Sequence, residues 1–471
     1  MNEEPLKPAM LVIFGITGDL SQRKLLPALY HLLKDGLLHE NTQIIGITRR
    51  NTTAKELLDT AELCIIESDK VCDPVTIKRM QQKLSMYKMN LEDGDEYDKL
   101  YAHLNDLEEK SGMCMERLYY LSIPPGVYAP IVAHLGSHGL NKSCQHAVAG
   151  TRILIEKPFG YDVASAKELI TETAQYFTEP QIFRIDHYLA KETVQNILTF
   201  RFHNPVFESI WDRQHVQRID IVASEEIGIE GRANFYEQVG ALRDLIQSHL
   251  LQLLAVATME QPHTMHSKEI HAAKLTLLQD IQPIPQDRIA IHAIRGQYEG
   301  YAEEAGNKKS NTETYAAVLL HIQNKRWQDV PVTIRTGKAL REKKTTVSFT
   351  FKHASGKTEH TNVLTFSVQP HEGISISLYV KRPGFDNQLQ RVPMDFSYER
   401  SFDEQGHPDA YERVLVDAIR GDRTLFATND EVMASWKILQ PVITAWENSR
   451  EGMQIYPKYS DGPALPKSFL T

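Results

Sequence analysis

The sequence is poor in cysteine. Four occur in 471 residues, Cys64, Cys72, Cys114 and Cys144. All lie in the first third, and none stands at CxxC or CxxH spacing. That pattern excludes a disulfide-framed secreted domain and a thiolate zinc centre, so four reduced thiols are expected. No apolar run reaches about 18 residues, which argues against a membrane-spanning helix. Nor is there a basic excess. The formal net charge is −9, whereas a nucleic-acid binder needs a basic stripe or surplus. The start, Met1-Asn2-Glu3-Glu4-Pro5, is acidic and polar, unlike a secretory signal. Internal repeats, low-complexity tracts and long linkers are missing too. A cytoplasmic protein with neither membrane nor nucleic-acid partner is expected.

What is there is ordinary globular composition, 42% hydrophobic and 24% charged. The length exceeds the roughly 250–300 residues at which single cores stop growing, so two domains are expected. The first third alternates strand and helix signals. Strands are expected near 10–15, 43–48, 117–123, 151–156 and 181–185, with helices at 23–34, after Pro124-Pro125, and at 163–176. Three polar helix-like segments fill about 54–110. This alternation predicts an N-terminal doubly wound, Rossmann-like α/β domain over residues 1–185. Residues 186–471 read differently. A strand at 216–223 and long helices at 235–260 and 268–279 precede segments 345–352, 362–369 and 374–380, which alternate apolar and polar residues. Helices at 409–419 and 430–446 follow. A larger C-terminal α+β domain on a mostly antiparallel sheet is expected, with one sheet face covered.

Phe14-Gly15-Ile16-Thr17-Gly18-Asp19-Leu20 follows the first strand and precedes the first helix. Glycines there permit a tight turn and close approach of backbone N–H groups to a pyrophosphate. The spacing is GxxGxL, a weak signal alone. Strand two ends in Arg49-Arg50, with no acid. Arginine at that place suits the 2′-phosphate of NADP, through the planar fork of its guanidinium. Glu156-Lys157-Pro158-Phe159-Gly160 sits at the carboxyl end of a further strand, where open parallel sheets bind ligands. Lys157 is expected to meet both cofactor and substrate.

The densest chemistry lies in Arg184-Ile185-Asp186-His187-Tyr188-Leu189-Ala190-Lys191-Glu192. A carboxylate, an imidazole, a phenol and an ammonium share six positions. If the segment after Asp186 is helical, His187 and Lys191 lie on one face. With Tyr188 they would grip a phosphate by charge-assisted hydrogen bonds. Basic residues cluster again between Arg335 and Lys344. An acidic body with local basic clusters suits a small anionic ligand.

Together FGITGDLSQRKLLPALY (14–30), EKPFG (156–160), RIDHYLAKETVQN (184–196), GRANFYEQVGALRDLIQSHLLQL (231–253), RTGKAL (335–340), DAYERVL (409–415) and LFATNDEV (425–432) resemble the glucose-6-phosphate dehydrogenase family. They occur in its order and span nearly the whole chain. The resemblance implies oxidation of D-glucose 6-phosphate to 6-phospho-D-glucono-1,5-lactone with NADP, the first step of the pentose phosphate pathway, by a homodimer or homotetramer. It implies His249 as general base and Asp186 as the acid that supports its charged form. It also implies substrate contacts from Lys24, Lys157, His187, Tyr188, Lys191, Glu225, Asp244, Lys338 and Lys343. Cofactor contacts fall to Gly15, Thr17, Gly18, Asp19, Leu20, Arg49, Arg50, Ser122, Pro124 and Lys157.

Two tensions remain at this level. On spacing alone His249 falls inside the apolar stripe of Leu242, Leu245, Ile246, Leu250 and Leu253, and reads as a hydrogen-bonded core histidine. In a regular α-helix Asp244 also lies about 140° round from His249, unless the helix starts irregularly. The chain departs from the family pattern at Ala190, Ser248, Glu237 and Tyr459–Pro463. The 19 histidines show no metal-ligand spacing, and no metal is expected. Two rivals stand beside this reading. One is an EKP-bearing dehydrogenase of a non-phosphorylated sugar or inositol. The other is a catalytically silent nucleotide-binding sensor.

Overall fold

The computed structural model describes residues 6–61, 72–142, 150–353, 360–402, 408–447 and 449–469. The chain forms two compact units. The first comprises 1–160, 167–190 and 406–429; the second comprises 161–166, 191–405 and 430–471.

The first unit is built on β1 (Ala9–Phe14), β2 (Gln43–Thr48), β3 (Leu84–Lys88), β4 (Glu116–Leu121), β5 (Thr151–Ile155) and β6 (Ile182–Ile185). These strands lie in the order 6-5-4-1-2-3, all parallel. The short strand Phe426–Ala427 joins antiparallel beyond β6. Every residue of β1 and β4 is buried, as a sheet covered on both faces requires. Leu26–Lys34 buries Leu26, Leu29, Leu32 and Leu33. It packs against Ala410–Arg420, which also touches β4. The stretch read as three helices is Ala54–Thr60, Pro74–Lys83, then β3, then Gly94–Ser111. Cys72 and Cys114 are both disulfide-bonded, so the expectation of reduced thiols fails for them. Spacing along the chain does not report distance in space. Cys64 and Cys144 lie outside the described residues.

The second unit carries β7 (Val216–Ser224), β8 (Ala293–Tyr298), β9 (Tyr315–His321), β10 (Pro331–Gly337), β11 (Lys344–Phe351), β12 (Val363–Gln369), β13 (Gly373–Lys381) and β14 (Leu389–Ser397). The sheet order is 14-13-12-11-7-10-9-8, closed by Met453–Tyr456. Two neighbouring pairs are parallel: β7 with β10, and Met453–Tyr456 with β8. The rest are antiparallel. Along β12 buried and half-buried residues alternate, the mark of one covered face. Glu192–His203 and the helices from Leu242 to Thr258 pack on this sheet. The expected single helix over 235–260 is instead three pieces, Ala233–Ala241, Leu242–Leu250 and Leu251–Thr258. Gly240, at φ 65° and ψ 175°, breaks the first from the second. Among the described residues no helix is long and apolar enough to cross a membrane.

Candidate active site

In the first unit the sheet's order reverses between β1 and β4, and ligands bind outside the carboxyl ends of strands at such a point. Gly15 turns the chain there at φ 79°. A Cβ on Gly15 would stand 2.2 Å from the Ser122 carbonyl oxygen, so only glycine fits. The Gly18 N–H donates to the Gly15 carbonyl at 2.9 Å. Ser21 Oγ donates to Ser122 Oγ at 2.9 Å and so ties the turn to the end of β4. The turn lines a groove of about 470 Å³ with Thr17, Gly18, Arg49, Arg50, Ser122 and Pro124. Ile123, Val127 and Ile131 give it an apolar wall, and Asn90, Leu91 and Glu92 close it beyond β3. Sequence reasoning missed those last three, because β3 was hidden inside a helical reading.

Asp19, Leu20 and Lys157 are not among the residues lining the groove. Asp19 is exposed and pairs with Arg23 at 2.9 Å. Leu20 begins the wide turn Ser21–Leu25. Lys157 follows Glu156, a wholly buried carboxyl that accepts from the Tyr120 and Tyr411 hydroxyls. Burial pushes Glu156 up to about 7 despite those bonds. The Tyr411 ring lies over His187, centroids 6.3 Å apart and planes 14° apart. Asp409 caps the helix of Tyr411 and draws Lys24 Nζ to 3.8 Å. Lys24, His187 and Tyr411 are thereby gathered at one end of this unit. Sequence reasoning noted DAYERVL but gave Tyr411 no role.

Asp186 follows β6 and is 3% exposed. Its Oδ1 accepts the Tyr188 N–H at 2.9 Å, and its carbonyl accepts that of Leu189 at 3.1 Å. The residues after it form turns, and helix starts only at Glu192. Helical spacing therefore does not bring His187 and Lys191 to one face. Tyr188 and Ala190 are buried in this turn.

In the second unit the parallel pair β7 and β10 ends at one edge of the sheet. Glu225 follows β7 and Lys338 follows β10. Lys338 is 3% exposed, and its Nζ meets Glu225 Oε2 at 2.5 Å. The same ammonium stands 5.2 Å from the centre of the Tyr236 ring. Burial drives the Tyr236 hydroxyl well above its usual range, helped by the carboxylates of Asp244, Glu313 and Glu225. Tyr236, which the sequence did not single out, thus stands among three expected substrate contacts. Lys191 precedes Glu192–His203, with Nζ 2.9 Å from Gln369 Oε1. Lys343 is exposed just before β11.

Leu242–Leu250 is a π-helix. Its hydrogen bonds run from i to i+5, so residues five apart come round to one face. Asp244 and His249 are five apart. The separation expected of a regular helix is removed, and the two share a face. His249 is 1% exposed. Ser248 Oγ donates to the Asp244 carbonyl at 2.9 Å. The next turn is fixed by buried charges. Lys274 Nζ reaches Gln252 Oε1 at 3.0 Å and Glu431 Oε2 at 3.0 Å, while His271 Nδ1 meets Glu431 Oε1 at 2.8 Å. Among the described residues no cluster of three His, Cys, Asp or Glu could hold a metal ion.

A doubly wound parallel sheet with a glycine turn at its switch point, joined to a larger mostly antiparallel unit, defines a Rossmann-type dinucleotide-binding oxidoreductase. Residues 12–196 match the family model described as glucose-6-phosphate dehydrogenase, NAD binding domain, and 198–471 match the C-terminal domain of the same family. The chain belongs to the glucose-6-phosphate dehydrogenase family. It is 40% identical to the glucose-6-phosphate 1-dehydrogenase of Chlamydia pneumoniae over 98% of this chain and 93% of that one. It is similar to a solved glucose-6-phosphate dehydrogenase in complex with its substrate glucose-6-phosphate. That match has TM-score 0.90 and 31% identity, over 100% of this chain and 98% of the other. A second solved structure, from Mycobacterium avium, gives TM-score 0.82 and 33% identity over 97% and 96%.

Proposed function

We propose that the chain oxidises D-glucose 6-phosphate to 6-phospho-D-glucono-1,5-lactone with NADP as electron acceptor. The observation that carries this reading is the π-helix. It sets a buried imidazole, His249, on one face with a carboxylate, Asp244, beside the Glu225–Lys338–Tyr236 cluster. Family membership supports it. Neither the non-phosphorylated-sugar dehydrogenase nor the silent sensor is favoured.

The groove of the first unit fits a dinucleotide. Gly15 leaves the space a Cβ would fill, and Arg49 and Arg50 offer forks to a 2′-phosphate. Bound there, NADP supplies the electron-pair acceptor. Every other role belongs to side chains. His249 takes the proton of the C1 hydroxyl, and Asp186 stabilises the imidazolium so formed. Asp244 and Glu225 accept from sugar hydroxyls. Lys191, His187 and Tyr188 hold the phosphate, with Lys24, Lys157, Lys338 and Lys343 supplying further positive charge. The first unit offers the cofactor groove together with Lys24, Lys157, Asp186, His187 and Tyr188, and the second offers Lys191, Glu225, Asp244, His249, Lys338 and Lys343.

Initial rates with NADP and NAD against several aldose phosphates, followed by reduced nicotinamide absorbance, test the whole reading. Activity confined to non-phosphorylated sugars, or none, would overturn it. Replacing the base should lower the rate and spare binding. His249→Asn is expected to reduce kcat by at least about a hundredfold with little change in sugar-phosphate KM. Lys191→Ala should raise the sugar-phosphate KM and leave the cofactor KM in place; an equal rise in both would mark a structural effect.

A homodimer or homotetramer belongs to the same reading. The face of the nine-stranded sheet bearing Arg218, Asp220, Arg335 and Ser348 lines a cavity of about 450 Å³. Sedimentation analysis checks the oligomeric state. A cytoplasmic location is part of the proposal as well. Cell fractionation tests it, since the disulfides of Cys72 and Cys114 are unusual for a reducing compartment.

A further inference from the structure

We propose that Glu313 is a positioning residue whose buried carboxylate clamps the start of Leu242–Leu250 in its wide register. Asp244 and His249 share a face only in that register. The inference rests on the function proposed above and adds a residue to it.

A helix start leaves backbone N–H groups without partners. An ordinary start takes a cap from a side-chain oxygen at the preceding position. Here that position is Ala241, which has none. Glu313 replaces it from 71 residues away, its Oε1 accepting the Leu242 N–H at 2.9 Å. The Glu313 carbonyl also accepts the Ala241 N–H at 2.9 Å. Gly240 makes room for this. Its φ of 65° suits glycine, and a Cβ there would stand 2.5 Å from Glu313 Oε1 and 2.7 Å from the carboxyl carbon. Glycine and glutamate are a matched pair. Removing either changes how the helix begins.

The surroundings make the clamp necessary. A cavity of about 240 Å³, lined by Gly240, Leu242, Arg243, Glu313 and Trp446, borders the turn. Without the carboxylate the chain has space to rewind toward the i to i+4 register. Asp244 would then swing about 140° from His249. Glu313 meets the backbone N–H groups of Ala241 and Leu242. It acts through the backbone of the helix that carries Asp244 and His249.

The experiment compares Glu313→Ala, which removes the acceptor, with Glu313→Gln, which keeps an oxygen at the same reach. Glu313→Ala should lower kcat by about tenfold or more, as misplacement of reacting groups does. It should also raise the sugar-phosphate KM with the cofactor KM unmoved. Glu313→Gln should recover most of both. Gly240→Ala, which pushes the carboxylate aside, should fall in the class of Glu313→Ala. Should Glu313→Ala fail to fold, Glu313→Asp, whose carboxylate falls one methylene short, replaces it. Amide hydrogen exchange gives a reading independent of activity. Protection over 243–250 should drop in Glu313→Ala while that over 9–14 holds. Unchanged sugar kinetics and unchanged exchange, or a parallel rise in both KM values, would overturn the clamp. An inactive wild type would overturn the proposed function, and exchange would still decide the clamp.

Discussion

Glu156 is a carboxyl group shut away from water between two phenols. Its neighbours Tyr120, Tyr411 and Lys157 favour the charged form, while burial and the Asp186 carboxylate oppose it, and burial prevails to bring it to about 7. The folded chain thus keeps a proton that the unfolded chain gives up in the ordinary range. The resulting stabilisation is complete below about pH 4.5 and is lost as pH rises to about 7. Wild type should therefore lose more stability over that interval than Glu156→Gln, by up to about 3 kcal/mol. Melting temperatures of the two against pH check this, and parallel curves would clear Glu156. Arg49 and Arg50 make a second residue-scale test. Replacing both with alanine should weaken NADP roughly tenfold to a hundredfold, the worth of charged hydrogen bonds, and spare NAD. At this scale much was legible. Gly15, Gly18, Arg49 and Arg50 could be read because a turn and a charge act where they stand in sequence. Tyr236 could not, since its meaning comes from Asp244, Glu225 and Lys338 brought round it by folding.

Elements are held by partners that a local reading does not see. Lys274 and His271, on Ser267–Asp280, neutralise Glu431 of Asn429–Glu447 in a dry interior. Removing Lys274 leaves that carboxylate under-compensated, so Lys274→Ala should cost about 3–5 kcal/mol, measured by urea unfolding. The apolar stripe of residues 242–253 fits a regular helix and a wide one equally well. The choice is made by Gly240 and by Glu313, far along the chain. β8 and β9 escaped notice for another reason. All of β8 and nearly all of β9 are buried, so they lack the alternation that revealed β11 and β12. β3 begins directly after Pro74–Lys83, with no turn residue to announce it.

At the scale of the whole molecule, each unit is assembled from separated stretches of the chain. A helix is expected over 409–419 and forms at Ala410–Arg420, yet nothing in its sequence says which unit it joins. It joins the first, burying Tyr411, Val414, Leu415, Val416 and Ile419. At roughly 1.5–3 kcal/mol for each large apolar side chain, that burial rivals the roughly 5–15 kcal/mol stability of a domain. A fragment of residues 1–190 should therefore lack a cooperative melt by calorimetry, and grafting 408–429 onto it through a glycine linker should restore one. A cooperative 1–190 fragment would show the helix to be dispensable. Vectorial synthesis meets the same feature. The ribosome delivers residues 1–190 early, then makes the 215 residues of 191–405 before the missing helix emerges. At about 5–20 residues per second that delay is roughly 10–40 s, during which the nascent sheet stands with an apolar flank bare, a natural point of call for a chaperone.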